Sequence, residues 1–146
     1  MIDWAAYGGL FGASLLAATI VPFSSEVVLA GALAARPADA TAFLAVATAG
    51  NTLGAIVNYA LGRWLLRFRD RRWFPVDAAT LDAAAARFRR FGTWSLLLSW
   101  VPVVGDPLTV AAGIARVPPA VFIALVLVGK AARYALVAAG ILALAP

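Results

Sequence analysis

The 146-residue chain contains neither cysteine nor histidine. The first absence excludes disulfides and thiol chemistry, and the two together remove the commonest zinc ligands. The lack of histidine also removes the usual general base of nucleophilic catalysis. Charge is scarce as well: 13% of residues are charged, against about 25% in a soluble domain. No metal, no cofactor and no catalytic residue is therefore expected, and the chain is read as something other than an enzyme. In place of charge there is apolar surface. The hydrophobic share is 64% and the mean hydropathy +0.91, the balance that a bilayer imposes. A chain of this length makes a single membrane domain.

The net charge of +5 is unevenly spread. Eight of the twelve basic residues fall between Arg63 and Arg90. A soluble protein with such a run would suggest nucleic acid. Between apolar segments, the positive-inside rule explains it better. The Arg63–Arg90 loop is accordingly expected on the cytoplasmic side of an inner (plasma) membrane, in a multi-pass protein, with Arg36, Asp39 and both termini outside. The opening Met1-Ile2-Asp3-Trp4 lacks a basic leader, so the first apolar stretch is expected to stay.

Five apolar stretches follow one another: about 4–21, 27–35, 40–66, 93–115 with a break, and 120–145. A spanning helix needs roughly 20 residues. Residues 40–66 and 120–145 meet that length, whereas 27–35 and 108–115 do not. Short apolar pieces beside Pro-rich breaks are the mark of re-entrant hairpins. The breaks are Pro22, Ser24 and Ser25 in the first half, and Pro102, Gly105 and Pro107 in the second. The first stretch either forms one arm of a hairpin or spans outright. Asp39 carries a helix N-cap signal. Residues 78–91 set Leu81, Ala84, Ala85, Phe88 and Phe91 at helical spacing beside arginines, as in an interfacial amphipathic helix or a solvated linker helix.

The two halves are alike. Pro22 and Glu26 recur 80 residues later as Pro102 and Asp106, and a small Ala-Gly pair follows each acid. The fold class expected is an all-α integral membrane protein of two inverted repeats, each a re-entrant helical hairpin followed by a spanning helix. Repeat 1 covers about 4–66, an Arg-rich linker 67–91, and repeat 2 about 92–146.

Two acids stand in oil. A charge at mid-bilayer costs about 3 kcal/mol on insertion scales, so Glu26 and Asp106 are the leading candidates for a substrate or proton site. A structural, arginine-paired glutamate is the plainer reading of Glu26. For Asp106 it is an N-cap on a half-helix starting at Pro107. Lys130 and Arg133 lie three apart on one face of the last helix, deep in its apolar run. They are natural partners for either acid and a natural clamp for a phosphate. Arg63 closes the other long helix, where snorkelling would also explain it. Asn51 and Asn58 share a helix face and are expected to bond broken hairpin backbone. Gly50, Gly54 and Gly62 form a small face suited to close helix approach.

These motifs resemble a known family. Pro22-Phe23-Ser24-Ser25-Glu26, Gly50-Asn51-Thr52-Leu53-Gly54, Asn58-Tyr59 and Gly62-Arg63 are similar to the first half of DedA (SNARE-associated, VTT-domain) membrane proteins. Arg90-Phe91-Gly92, Trp100 to Leu108 and Ala112-Gly113 resemble the second half, in the form of the small YqaA branch. The resemblance implies a two-repeat protein with re-entrant loops and proton-coupled movement of lipids, and it makes Glu26 the essential hairpin carboxylate. The family's second acid would fall near Ala55, where this chain has none. Its hairpin arginines would fall at Ser99 and Gly105, and Lys130 and Arg133 are left to supply that charge.

The function expected is a transporter or flippase for a lipid-linked or small anionic substrate, coupled to protons. Membrane lipids and protons are the partners, with a second copy of the chain as a further candidate and nucleic acid not among them. Three rivals stand beside it: a small multidrug-type cation exporter, a non-transporting scaffold, and an intramembrane enzyme built on a carboxylate dyad.

Overall fold

The computed structural model describes residues 4–18, 25–68, 70–72, 78–101 and 105–144, apart from the side chains at 78, 80, 81, 84, 87, 91 and 144. The expected breaks at Pro22, Ser24 and Pro102, and the side chains of Leu81, Ala84 and Phe91, lie outside them. The described residues form six α-helices and no strand: α1 (Trp4–Ala17), α2 (Ser25–Ala35), α3 (Ala40–Leu65), α4 (Ala78–Arg87), α5 (Gly105–Ile114) and α6 (Pro119–Leu144). The 26 residues of α3 and of α6 give each helix a length of roughly 39 Å at 1.5 Å per residue. Both are long and apolar enough to cross a bilayer, while α1 and α2 are shorter apolar helices. Along α3, Leu53, Val57, Leu61 and Trp64 are all exposed. Their spacing makes one stripe. Such a stripe is costly against water and neutral against lipid.

Helix boundaries follow local chemistry. Pro119 opens α6, where its missing N–H would be unbonded in any case. The 3-10 turn Pro37–Asp39 leads directly into α3. Asp39 does not cap α3 as expected: its carboxylate faces Arg36 Nη1 at 3.7 Å instead. The helix of residues 78–91 is shorter than its pattern suggests, since α4 ends at Arg87 and Phe88–Gly92 widen into a π turn. Thr93–Trp100 wind as a tighter 3-10 helix.

The chain divides into two compact units, Met1–Gly54 with Leu127–Pro146, and Ala55–Val126. In the first, α1 and α2 pack as a pair around a core of Leu10, Leu29, Leu33, Phe43, Ala47, Tyr134 and Ala138. Lipid tails are as apolar as leucine, so close packing rather than oil-from-water transfer joins helices inside a bilayer. The small face of α3 provides that packing. Gly50 lies against the Phe11 carbonyl and Ser14, and Gly54 against the Leu15 carbonyl and Ala18.

In the second unit the 3-10 helix Thr93–Trp100 packs on α5, and α4 also touches α5. The core there includes Ala55, Tyr59, Leu96, Ala112, Phe122 and Val126. Gly62 of α3 meets the Val110 carbonyl, and Gly113 of α5 meets the Tyr59 carbonyl, so the two glycines serve one helix crossing. The end of α5 is a Schellman turn: Val117 N–H donates to Ala112 at 3.1 Å and Arg116 N–H to Gly113 at 3.2 Å. Arg116 takes the left-handed conformation, φ 56°, that this turn requires.

Candidate functional site

Six polar residues of the first unit, Ser25, Glu26, Asn51, Lys130, Arg133 and Tyr134, gather where α2, α3 and α6 meet. Glu26 is the second residue of α2. Its carboxylate is ion-paired with the Arg133 guanidinium, and the two side chains are 24% and 19% exposed. Beside this pair runs a chain of buried polar groups. Lys130 donates to the Asn51 side-chain oxygen. The Asn51 amide donates to the Tyr134 hydroxyl at 3.0 Å, and that hydroxyl lies 2.7 Å from Ser25 Oγ. The Tyr134 oxygen accepts from Asn51, and either hydroxyl can donate in the bond between Tyr134 and Ser25. Lys130, Asn51, Ser25 and Tyr134 are all buried.

Helical spacing explains why these residues converge. Lys130 and Tyr134 are four apart, which stacks them on one face of α6, and Arg133 lies beside them. Asn51 stands between Gly50 and Gly54 on the tightly packed part of α3. An amide or ammonium buried there needs partners, and each finds one across the helix interface. The expectation that Asn51 would bond hairpin backbone is therefore corrected: its bonds go to the side chains of Tyr134 and Lys130. The cluster holds one carboxylate and two cations, Arg133 on Glu26 and Lys130 on Asn51, a balance that favours a further anion over a cation.

Asp106 is placed in the second unit, half-buried and likewise second in its helix, α5. That helix starts at Gly105, so Asp106 stands in the first turn rather than as a cap before Pro107. Thr109 Oγ1 donates to the Asp106 backbone carbonyl at 2.6 Å and receives the Asn58 amide at 3.3 Å, which ties α3 to α5. Gly105 lies so close to the Ser99 carbonyl that a Cβ would collide with it. This chain therefore has no room for an arginine at that position. Buried Ser99 Oγ has no hydrogen-bond partner among the described residues. Arg63 is exposed near the end of α3, where it lines a cavity of about 420 Å³ with Arg67 and Trp64.

The structure thus joins Glu26 to Arg133 and Lys130 to Asn51. It places Asp106, Asn58 and Arg63 in the other unit. Sequence reasoning missed the central part of Tyr134 and the part of Ser25. The four-residue spacing of Tyr134 from Lys130 was the available signal.

The chain matches the VTT domain over residues 8–142. It is 39% identical over 130 residues to the inner membrane protein YqaA of Escherichia coli (strain K12), across 89% of this chain and 87% of that one. The protein of the same name from Shigella flexneri gives the same figures. An uncharacterized protein of Haemophilus influenzae is 33% identical over 132 residues, across 86% of this chain and 80% of its own. No solved structure matches.

Proposed function

The chain belongs to the VTT-domain (DedA) family of membrane proteins, and from that premise we propose that it carries a lipid-linked or small anionic substrate across the membrane in step with protons. The observation that carries this reading is the Glu26–Arg133 pair. A proton taken up by Glu26 dissolves the pair and frees the guanidinium to clamp a phosphate or carboxylate. Loss of the proton restores the pair and expels the anion. Proton and anion thus favour the same state, which is the requirement for coupling. Lys130 adds a second positive charge, held by Asn51. A cationic drug would meet two like charges here, which weighs against a multidrug-type exporter. No covalent chemistry is assigned.

In this reading α3 and α6 span, the Arg63–Arg90 segment faces the cytoplasm, and the short helices belong to two inverted hairpins. Glu26 and Asp106, each second in its short helix, are then equivalent positions.

The test is translocation in proteoliposomes under an imposed pH gradient, with a polyprenyl phosphate and a fluorescent anionic phospholipid as substrates. The wild type should move at least one of them. Glu26→Gln should abolish the dependence on the gradient, and Arg133→Gln should abolish movement. Wild-type behaviour in both variants would overturn the proposal. Movement of a lipophilic cation in place of the anions would favour the exporter.

A further inference from the structure

The cavity of the second unit is not used by the reading above. It is built on the last turns of α3, the 3-10 turn Leu66–Phe68 that continues it, and the first turn of α6. Its polarity changes along the axis of α3. The residues nearer the middle of the helix, Ile56, Tyr59 and Ala60, are apolar or present a ring. The Tyr59 hydroxyl is already spent on the Val117 carbonyl at 2.7 Å. Its ring stacks on Phe122 at 4.6 Å between centroids, which gives the cavity an aromatic wall. Towards the end of the helix the lining becomes Arg63 and Arg67. One closes α3 and the other lies in the 3-10 turn after it, and both line the same cavity. Both are exposed, neither has a hydrogen bond or ion pair among the described residues, and no acid lines the cavity.

The span from Ile56 to Arg67 is roughly 16 Å at 1.5 Å per residue. Two free guanidinium groups at the end of a membrane helix suit a phosphate, which they can hold by charge-assisted, bidentate bonds. An apolar wall running from there towards the bilayer interior suits a hydrocarbon chain. Trp64, exposed between the two arginines and edge-on to Phe68 at 4.8 Å, is the kind of side chain that settles at the headgroup level. A free phosphate ion would use the rim alone and leave the aromatic wall idle.

We infer that this cavity is a binding site for an anionic phospholipid, with its phosphate between Arg63 and Arg67 and an acyl chain along Tyr59, Phe122 and Ile123. It holds a resident lipid at the end of α3 and does not depend on the transport reading. Arg63 is thereby reassigned from the substrate site to a lipid site.

The full chain, purified in detergent, is titrated with phosphatidylglycerol or phosphatidylcholine, and retained lipid is counted by native mass spectrometry. Phosphatidylglycerol should bind the wild type in preference to phosphatidylcholine and resist displacement by millimolar inorganic phosphate. Arg63→Gln and Arg67→Gln should each weaken it about fivefold. The Arg63→Lys/Arg67→Lys variant, which keeps the charge, should retain most of the binding, and Arg36→Gln should change nothing. Equal retention of the two lipids, or wild-type binding in Arg63→Gln/Arg67→Gln, would overturn the inference. Displacement by inorganic phosphate would overturn it too, by making the site one for a soluble anion. Circular dichroism of each variant separates loss of the site from loss of the fold, and a misfolded glutamine pair leaves the lysine pair and the phosphate competition to decide.

Discussion

Arg133, near the middle of α6, holds the Glu26 carboxylate at the first turn of α2. Both side chains are mostly shielded, so the ion pair between them carries weight. Removing one partner of a shielded pair costs more than replacing both with apolar or neutral groups, which is often nearly neutral. Arg133→Met alone should therefore destabilise the protein more than Glu26→Gln/Arg133→Met. Thermal unfolding in detergent reads this as a cycle. A double variant as unstable as the sum of the two single ones would show that the pair carries no coupling.

Tyr134 joins two helices to α6 through one oxygen. Its hydroxyl receives Asn51 and faces Ser25. Tyr134→Phe keeps the ring in the core and leaves a buried amide hydrogen and a serine without that partner, at a cost of about 1–3 kcal/mol. Ser25→Ala removes only one end of the chain and should cost less. Melting temperatures in the order wild type, Ser25→Ala, Tyr134→Phe are expected. Tyr134→Phe as stable as the wild type would remove the hydroxyl from any structural role.

The long helices were legible in the sequence because hydrophobic run length is a local signal. The long stretches 40–66 and 120–145 became α3 (Ala40–Leu65) and α6 (Pro119–Leu144), and the piece after Glu26 became α2. What escaped was whatever depends on which faces meet. Helical spacing puts Lys130 and Arg133 together, yet it does not say that Lys130 goes to Asn51 and Arg133 to Glu26. Asp106 looked like a cap because Pro107 looked like the first helical residue, but the turn closes earlier, at Gly105. The tight winding of Thr93–Trp100 has no clear signature in its residues: the three central leucines favour an ordinary α-helix, and the flanking Thr, Ser and Trp specify no tighter turn.

The glycines divide by what stands opposite them. A Cβ at Gly113 would run into the Tyr59 carbonyl, and one at Gly62 into the Val110 carbonyl. Backbone on both sides cannot turn away as a side chain can, so the helices must part. Gly113→Ala and Gly62→Ala should each destabilise by about 1–3 kcal/mol. Gly140, in α6, has nothing within 4 Å of its added Cβ. There the helix propensity of alanine acts alone, and Gly140→Ala should stabilise by up to about 1 kcal/mol. Opposite signs for the two classes are the expected result of a melting series.

Arg116 is the non-glycine residue with positive φ among those described. Its exposed side chain has no bonded partner there, so charge does not explain the conformation. The cause is the Schellman turn, in which the residue after the last helical carbonyls must turn left-handed for Val117 N–H to reach Ala112. Pro118 and Pro119 follow at once and bar any continuation of α5. An L-residue with a Cβ pays about 1–2 kcal/mol for that conformation, and glycine does not. Arg116→Gly should therefore raise the stability by about 1 kcal/mol, offset in part by the extra freedom of glycine in the unfolded chain. Arg116→Ala separates backbone from charge: it removes the guanidinium, keeps the Cβ, and should give no gain. If alanine stabilised as much as glycine, the benefit would come from losing the charge, and the turn would not be the source of the strain.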